Sequence, residues 1–239
     1  TRYQTATGDV ATVRPYIIRA YYFSNDFARA KQELMADVTA KQQAGKTPTI
    51  EELQLLANTG SKSKDPATYL IAMENLVRYY PSDDYWSDLL GRLQGKAGYS
   101  DRFALDVLRL QFKAVGTMPP QDYSDMAEIA LQNAFPTEAK KVLDAGFAKG
   151  VLGTGASAAK HKKLRDQASK AAADDAKNIA SGEASAMKSK DGTGLINLGY
   201  AFVTMDQFDK GIDLIQKGIA KGGLMRPEDA KLRLGYSYA

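Results

Sequence analysis

The chain has 239 residues, 44% of them hydrophobic and 25% charged, a balance ordinary for a globular protein. Its mean hydropathy of -0.37 and the absence of any apolar run of about 18 residues exclude a transmembrane helix. The lack of cysteine excludes disulfides, thiolate catalysis and cysteine-ligated zinc. Net charge is only +4, and the surplus is local. Between 160 and 190 stand Lys160, Lys162, Lys163, Arg165, Lys170, Lys177, Lys188 and Lys190, against Asp166, Asp174, Asp175 and Glu183. One basic stretch on an otherwise balanced chain is weak evidence for binding nucleic acid or an anionic surface.

Apolar spacing predicts paired helices in chain order. Ile17, Ile18 and Tyr21 form the face of a first helix, and Phe27, Ala30 and Leu34 that of its partner. Leu53, Leu56 and Ala57 open a second pair that ends at Tyr79-Tyr80-Pro81. Trp86, Leu89, Leu90 and Leu93 open a third, completed by Phe103 to Val115. Tyr123, Met126, Ala127 and Ala130 open a fourth, with Ala139, Leu143 and Phe147 behind. Prolines 48, 66, 81, 119, 120, 136 and 227 fall at or beside expected helix starts, where a missing N–H costs little. No segment alternates with period two, so no sheet is expected.

The sharpest signal lies near the end of the chain. Leu198-Gly199-Tyr200-Ala201-Phe202 returns 36 residues later as Leu234-Gly235-Tyr236-Ser237-Tyr238. Large residues at Leu195, Leu198 and Phe202 flank the small Gly199. In the following segment Gly211 and Gly218 flank Ile215, so small residues admit close helix approach and large ones fill the seam. This spacing resembles the tetratricopeptide repeat, a helix-turn-helix unit of about 34 residues that stacks into a solenoid. On that grid the small, close-packing position of each first helix falls at 18, 57, 90, 127, 199 and 235. The step from 127 to 199 is double, which implies a degenerate Ala/Lys-rich repeat at 156–190; one long helix broken near Gly182 is the competing reading. The fold class expected is all-α, an α-α superhelix of about six helical hairpins with the last incomplete, forming a single array over 1–239. Thr1 to Gln4 read as the tail of a preceding helix, and the helix carrying Leu232, Leu234 and Tyr238 has no successor. The chain therefore reads as a fragment of a longer repeat protein, with self-association through the uncapped last helix as the alternative.

Beyond the generic repeat, the chain is similar to uncharacterised tetratricopeptide proteins of Gram-negative bacteria. The resemblance rests on Tyr21-Tyr22 with Asn25-Asp26-Phe27, Tyr85 to Leu90, Gly150 to Gly155, and Lys221-Gly222-Gly223-Leu224. It implies export to the periplasm and no assigned activity.

No catalytic constellation is visible, and neither a metal nor a cofactor is expected. Gly150-Val151-Leu152-Gly153-Thr154-Gly155-Ala156-Ser157 has the outer glycines of a phosphate loop but Ala156 where the lysine belongs, and it follows a helix rather than a strand. His161 stands among Lys160, Lys162 and Lys163 with no orienting carboxylate, so it reads as solvated helix surface. The first helix of each tetratricopeptide unit lines the concave face. That face offers Tyr16, Arg19, Asp88, Asn197, Tyr200, Arg233 and Tyr236 as candidate peptide-binding residues; tyrosines beside amide and guanidinium groups suit an extended peptide. Clamping of a terminal carboxylate by Asn197 and Arg233 is disfavoured by Asp229, where a lysine would be wanted. The expected function is a non-catalytic scaffold for a protein or peptide; the alternative is nucleic-acid or anionic-surface binding through the basic 160–190 helix.

Overall fold

The computed structural model describes residues 12–93, 95, 96 and 98–238, and these hold twelve α-helices and no strand. The expected helix tail at Thr1 to Gln4 lies outside the described residues. By its contacts the chain divides into two compact units, Thr1–Gly116 and Thr117–Ala239. The first contains α1 (Arg14–Phe23), α2 (Phe27–Gln43), α3 (Ile50–Lys62), α4 (Pro66–Tyr79), α5 (Asp83–Leu93) and α6 (Ala104–Ala114). The second contains α7 (Pro120–Gln132), α8 (Pro136–Ala148), α9 (Ala158–Lys188), α10 (Thr193–Thr204), α11 (Phe208–Lys221) and α12 (Pro227–Tyr238). Within each unit every helix packs on the next. In the second, α9 also touches α7, and α10 also touches α8 and α12.

Four helix pairs share one turn: α1–α2, α3–α4, α7–α8 and α10–α11. Each turn has three residues, and the middle one, Asn25, Lys64, Ala134 or Asp206, is left-handed with φ of 61, 55, 60 and 62°. The third residue donates its N–H back into the last turn of the first helix. Asp26 bonds Tyr21 O at 2.9 Å, Asp65 bonds Gly60 O at 2.8 Å, Phe135 bonds Ala130 O at 2.9 Å and Gln207 bonds Phe202 O at 3.0 Å. Its own carbonyl then accepts the first bond of the second helix. This closure is usually made with glycine, since a side chain at positive φ costs about 1 kcal/mol or more. Here no glycine marks it. In two of the four turns a carboxylate in the third position caps the second helix: Asp26 accepts from Arg29 N–H and Asp65 from Thr68 N–H.

The expected register holds for these four pairs. Ile18, Ala57, Ala127 and Gly199 are all buried, and each turn centre lies the same distance beyond them. Across the seam Ala30 and Ala139 are fully buried, as are Leu53, Leu56, Leu143 and Ile215. At Gly199 the backbones nearly touch: a Cβ there would stand 2.6 Å from Gly211 O, and a Cβ on Gly211 would stand 2.6 Å from Gly199 O. Only glycine fits either position. The third pair departs from the pattern. α5 and α6 are separated by 94–100 and a 3-10 turn at Asp101–Phe103 rather than by the tight turn.

The 156–190 segment resolves the two readings offered by its sequence. It does not form a two-helix repeat: α9 runs unbroken for 31 residues and passes through Gly182, a length of about 46 Å. Alanine and lysine propensity carries the helix past one glycine, which costs only about 1 kcal/mol. Its buried residues are His161, Leu164, Ala168, Ala172 and Ala186, so it packs largely through small side chains. Farther on, α12 turns Ala230 and Ser237 inward, while Leu232 and Tyr238 remain exposed.

Candidate functional site

The seven candidate residues meet different fates. In the first unit Tyr16 is 69% exposed and Arg19 is exposed on α1. Arg19 lines a concavity of about 570 Å³ whose opposite wall carries Glu51, Glu52 and Gln54 of α3. Glu52 is committed there to capping Thr49 and to an ion pair with Lys41. Asp88 is also occupied: Tyr69 Oη donates to it, Arg92 Nε donates at 2.7 Å, and the Arg92 guanidinium lies 4.2 Å from the Tyr69 ring centre. Burial and the neighbouring Asp88 push the Tyr69 phenol up. Asp88 thus ties α4 to α5.

In the second unit Asn197, Tyr200 and Arg233 gather around Phe135. Arg233 Nη1 donates to Asn197 Oδ1 and its guanidinium sits 5.6 Å from the Phe135 ring. Tyr200 meets Phe135 edge to face at 5.0 Å. The expectation that Tyr200 offers its ring to a ligand is corrected: it is only 6% exposed and supports Phe135 from beneath. Tyr236 is half-buried on α12.

Asn197 leads to a groove of about 570 Å³ inside this unit. One wall is the second half of α9, with Asp175, Asn178, Ile179, Gly182 and Ser185. The other is α10, with Gly194, Asn197, Leu198 and Ala201, and the Asn133-Ala134-Phe135 turn closes it. Apolar surface from Phe135, Ile179 and Leu198 is thus rimmed by carboxamides and hydroxyls. Asn133 and Asn178 each donate one Nδ2 N–H to the backbone, to Ile129 O at 2.8 Å and Asp174 O at 2.9 Å, and each keeps a second N–H and its Oδ1. Asn197 is the converse, its Oδ1 held by Arg233 and its Nδ2 left to donate. Asp175 is the only ionisable group in the lining, and burial pushes its carboxyl up. Sequence reading missed Asp175, Asn178 and Asn133. The helical spacing of Asp175, Asn178, Ile179 and Gly182 marks one face of α9, but nothing in it announces that a distant turn lies opposite.

His161 is corrected as well. It is 6% exposed, and its Nδ1 accepts the Gly153 N–H at 3.2 Å. The glycine-rich loop before it is closed on itself: Val151 and Leu152 N–H groups both bond Gly146 O, and Leu152 is buried. Gly153, at φ 85°, passes so near Phe147 that a Cβ would fall 2.5 Å from the ring. These N–H groups serve the loop's own structure and are not gathered around a phosphate-sized space. The basic stretch is interleaved with acids. Lys162, Asp166, Lys170 and Asp174 are exposed one turn apart, and Lys160 pairs with Glu128, Arg165 with Asp144 and Lys177 with Asp174.

Among the described residues no cluster of three or more histidine, aspartate or glutamate side chains is arranged to hold a metal, and no helix is long and apolar enough to cross a membrane. No protein-family model matches the chain, and no curated protein matches it in sequence.

Proposed function

We propose that the chain is a non-catalytic scaffold, a tetratricopeptide-like α-α superhelix of the bacterial periplasm, that holds an extended peptide. The observation that carries the binding role is the groove between α9 and α10. It combines an apolar floor with carboxamides that keep both donors and acceptors to offer, the complement of a peptide main chain and its small side chains. Support for the repeat architecture comes from the four identical turns at a constant distance from the close-packing positions.

The test is selection of random dodecapeptides on the full chain, followed by measurement on Ser185→Trp. Ser185 is exposed on the groove wall, so an indole there fills the space without touching the core. Selected peptides are expected to lose at least tenfold in affinity on the variant while its thermal melt stays unchanged. Failure to enrich any peptide, or equal binding to the variant, overturns the proposal.

A further inference from the structure

Asp175 is unusual among the acids of α9. Asp174 holds Lys177 at 3.9 Å and Glu183 holds Lys210 at 2.9 Å. Asp166 stands one helical turn from both Lys162 and Lys170. Asp175 has no cation at either helical neighbour, since Ala171, Ala172, Asn178 and Ile179 occupy the positions three and four residues away. It makes no ion pair among the described residues and lines the groove half-buried. A carboxylate partly removed from water without a partner is destabilised, and the upward push on its carboxyl has that origin. Around it the groove lining holds the carboxamides of Asn133 and Asn178, which can accept as well as donate, and no cationic side chain.

Resting on the peptide-binding reading, we infer that the bound peptide carries a lysine or arginine side chain whose cationic head is held by Asp175. An ammonium or guanidinium group consists of donors alone, three or five of them. It therefore complements a carboxylate that has no cationic partner in the groove lining. The apolar stem of such a side chain has Ile179 to lie along, one turn farther down α9. An acidic or purely apolar peptide would leave the Asp175 charge half-desolvated and unmatched.

The experiment compares the pools of dodecapeptides selected on the wild-type chain and on Asp175→Asn, with Ser185→Trp as the groove control. The wild-type pool is expected to concentrate lysine or arginine at one fixed internal position at least fivefold over the starting library. The asparagine pool should lose that concentration while remaining dependent on the open groove. A synthetic peptide from the wild-type pool should bind roughly tenfold more weakly to Asp175→Asn, and equally well whether or not its N-terminus is acetylated. A groove-dependent pool without basic enrichment overturns this inference and leaves peptide binding standing. Loss of binding on acetylation alone also overturns it, assigning Asp175 to a terminal amine. If no peptide depends on the groove, both proposals fall.

Discussion

The two copies of the repeated pentapeptide are close in sequence and unlike in surroundings. In the first, Gly199 touches the backbone of α11, and Phe202 is 2% exposed beneath it. In the second, Gly235 has no atom within 4 Å of where its Cβ would be, and Tyr238 is 64% exposed, with its hydroxyl accepting from Gln216 at 2.8 Å. Sequence alone cannot distinguish them, because the large-small-large pattern states what a face can bury and not whether a helix covers it. The covering helix α11 turns the first copy into core; no described helix does the same for the second.

Substitutions at matched positions should separate the copies. Phe202→Ala is expected to cost about 3–5 kcal/mol in chemical denaturation, the range for emptying a buried aromatic site. Tyr238→Ala should cost about 0.5 kcal/mol or less; a similar loss at both would break the comparison. Gly199→Ala forces a methyl group onto the Gly211 carbonyl and should cost about 1–3 kcal/mol or more. The same change at Gly235 meets open space and should raise stability by up to about 1 kcal/mol through helix propensity, read as opposite shifts in melting temperature. The turns allow a finer test. Asp65 caps α4 and pairs with Lys31 at 2.7 Å, whereas Asp206 sits mid-turn in its pair with Lys141 and is 65% exposed. Asp65→Ala should cost about 1 kcal/mol at neutral pH, and Asp206→Ala close to nothing. The hydrogen bonds from Lys31 and Thr68 hold the Asp65 carboxyl well below the usual carboxylate range. Its contribution is therefore full above the unfolded value of about 3.9 and fades as pH falls below it. The gap between wild type and Asp65→Ala should narrow from pH 4 downward.

The hairpins were legible because close packing writes itself into residue size: Ala57, Ala127 and Gly199 are small where a partner helix crosses, and the large residues beside them fill the seam. Other features left no such mark. The third pair departs from the grid because its connection abandons the tight turn, and none of the four tight turns carries a glycine that could have marked it. The continuity of α9 was open because an alanine- and lysine-rich segment is equally content as one helix or two. His161 was misread because its cationic sequence neighbours point outward while its own ring meets the Gly153 N–H. Tyr200 was misplaced because its cover, Phe135, comes from a remote turn. The groove was invisible for the same reason, although one of its lining residues, Asn197, was named from the repeat register.

An uninterrupted α9 also fixes rotational phase. One residue added anywhere between His161 and Asp175 would swing everything downstream by about 100°, carrying Asp175 and Asn178 away from the Asn133 turn while each flanking hairpin stayed intact. Insertions of about 7 or 11 residues nearly restore the phase, yet they slide Asp175 about 10 or 16 Å along the helix axis. Lengthening α9 there therefore dismantles the cleft by rotation or by translation.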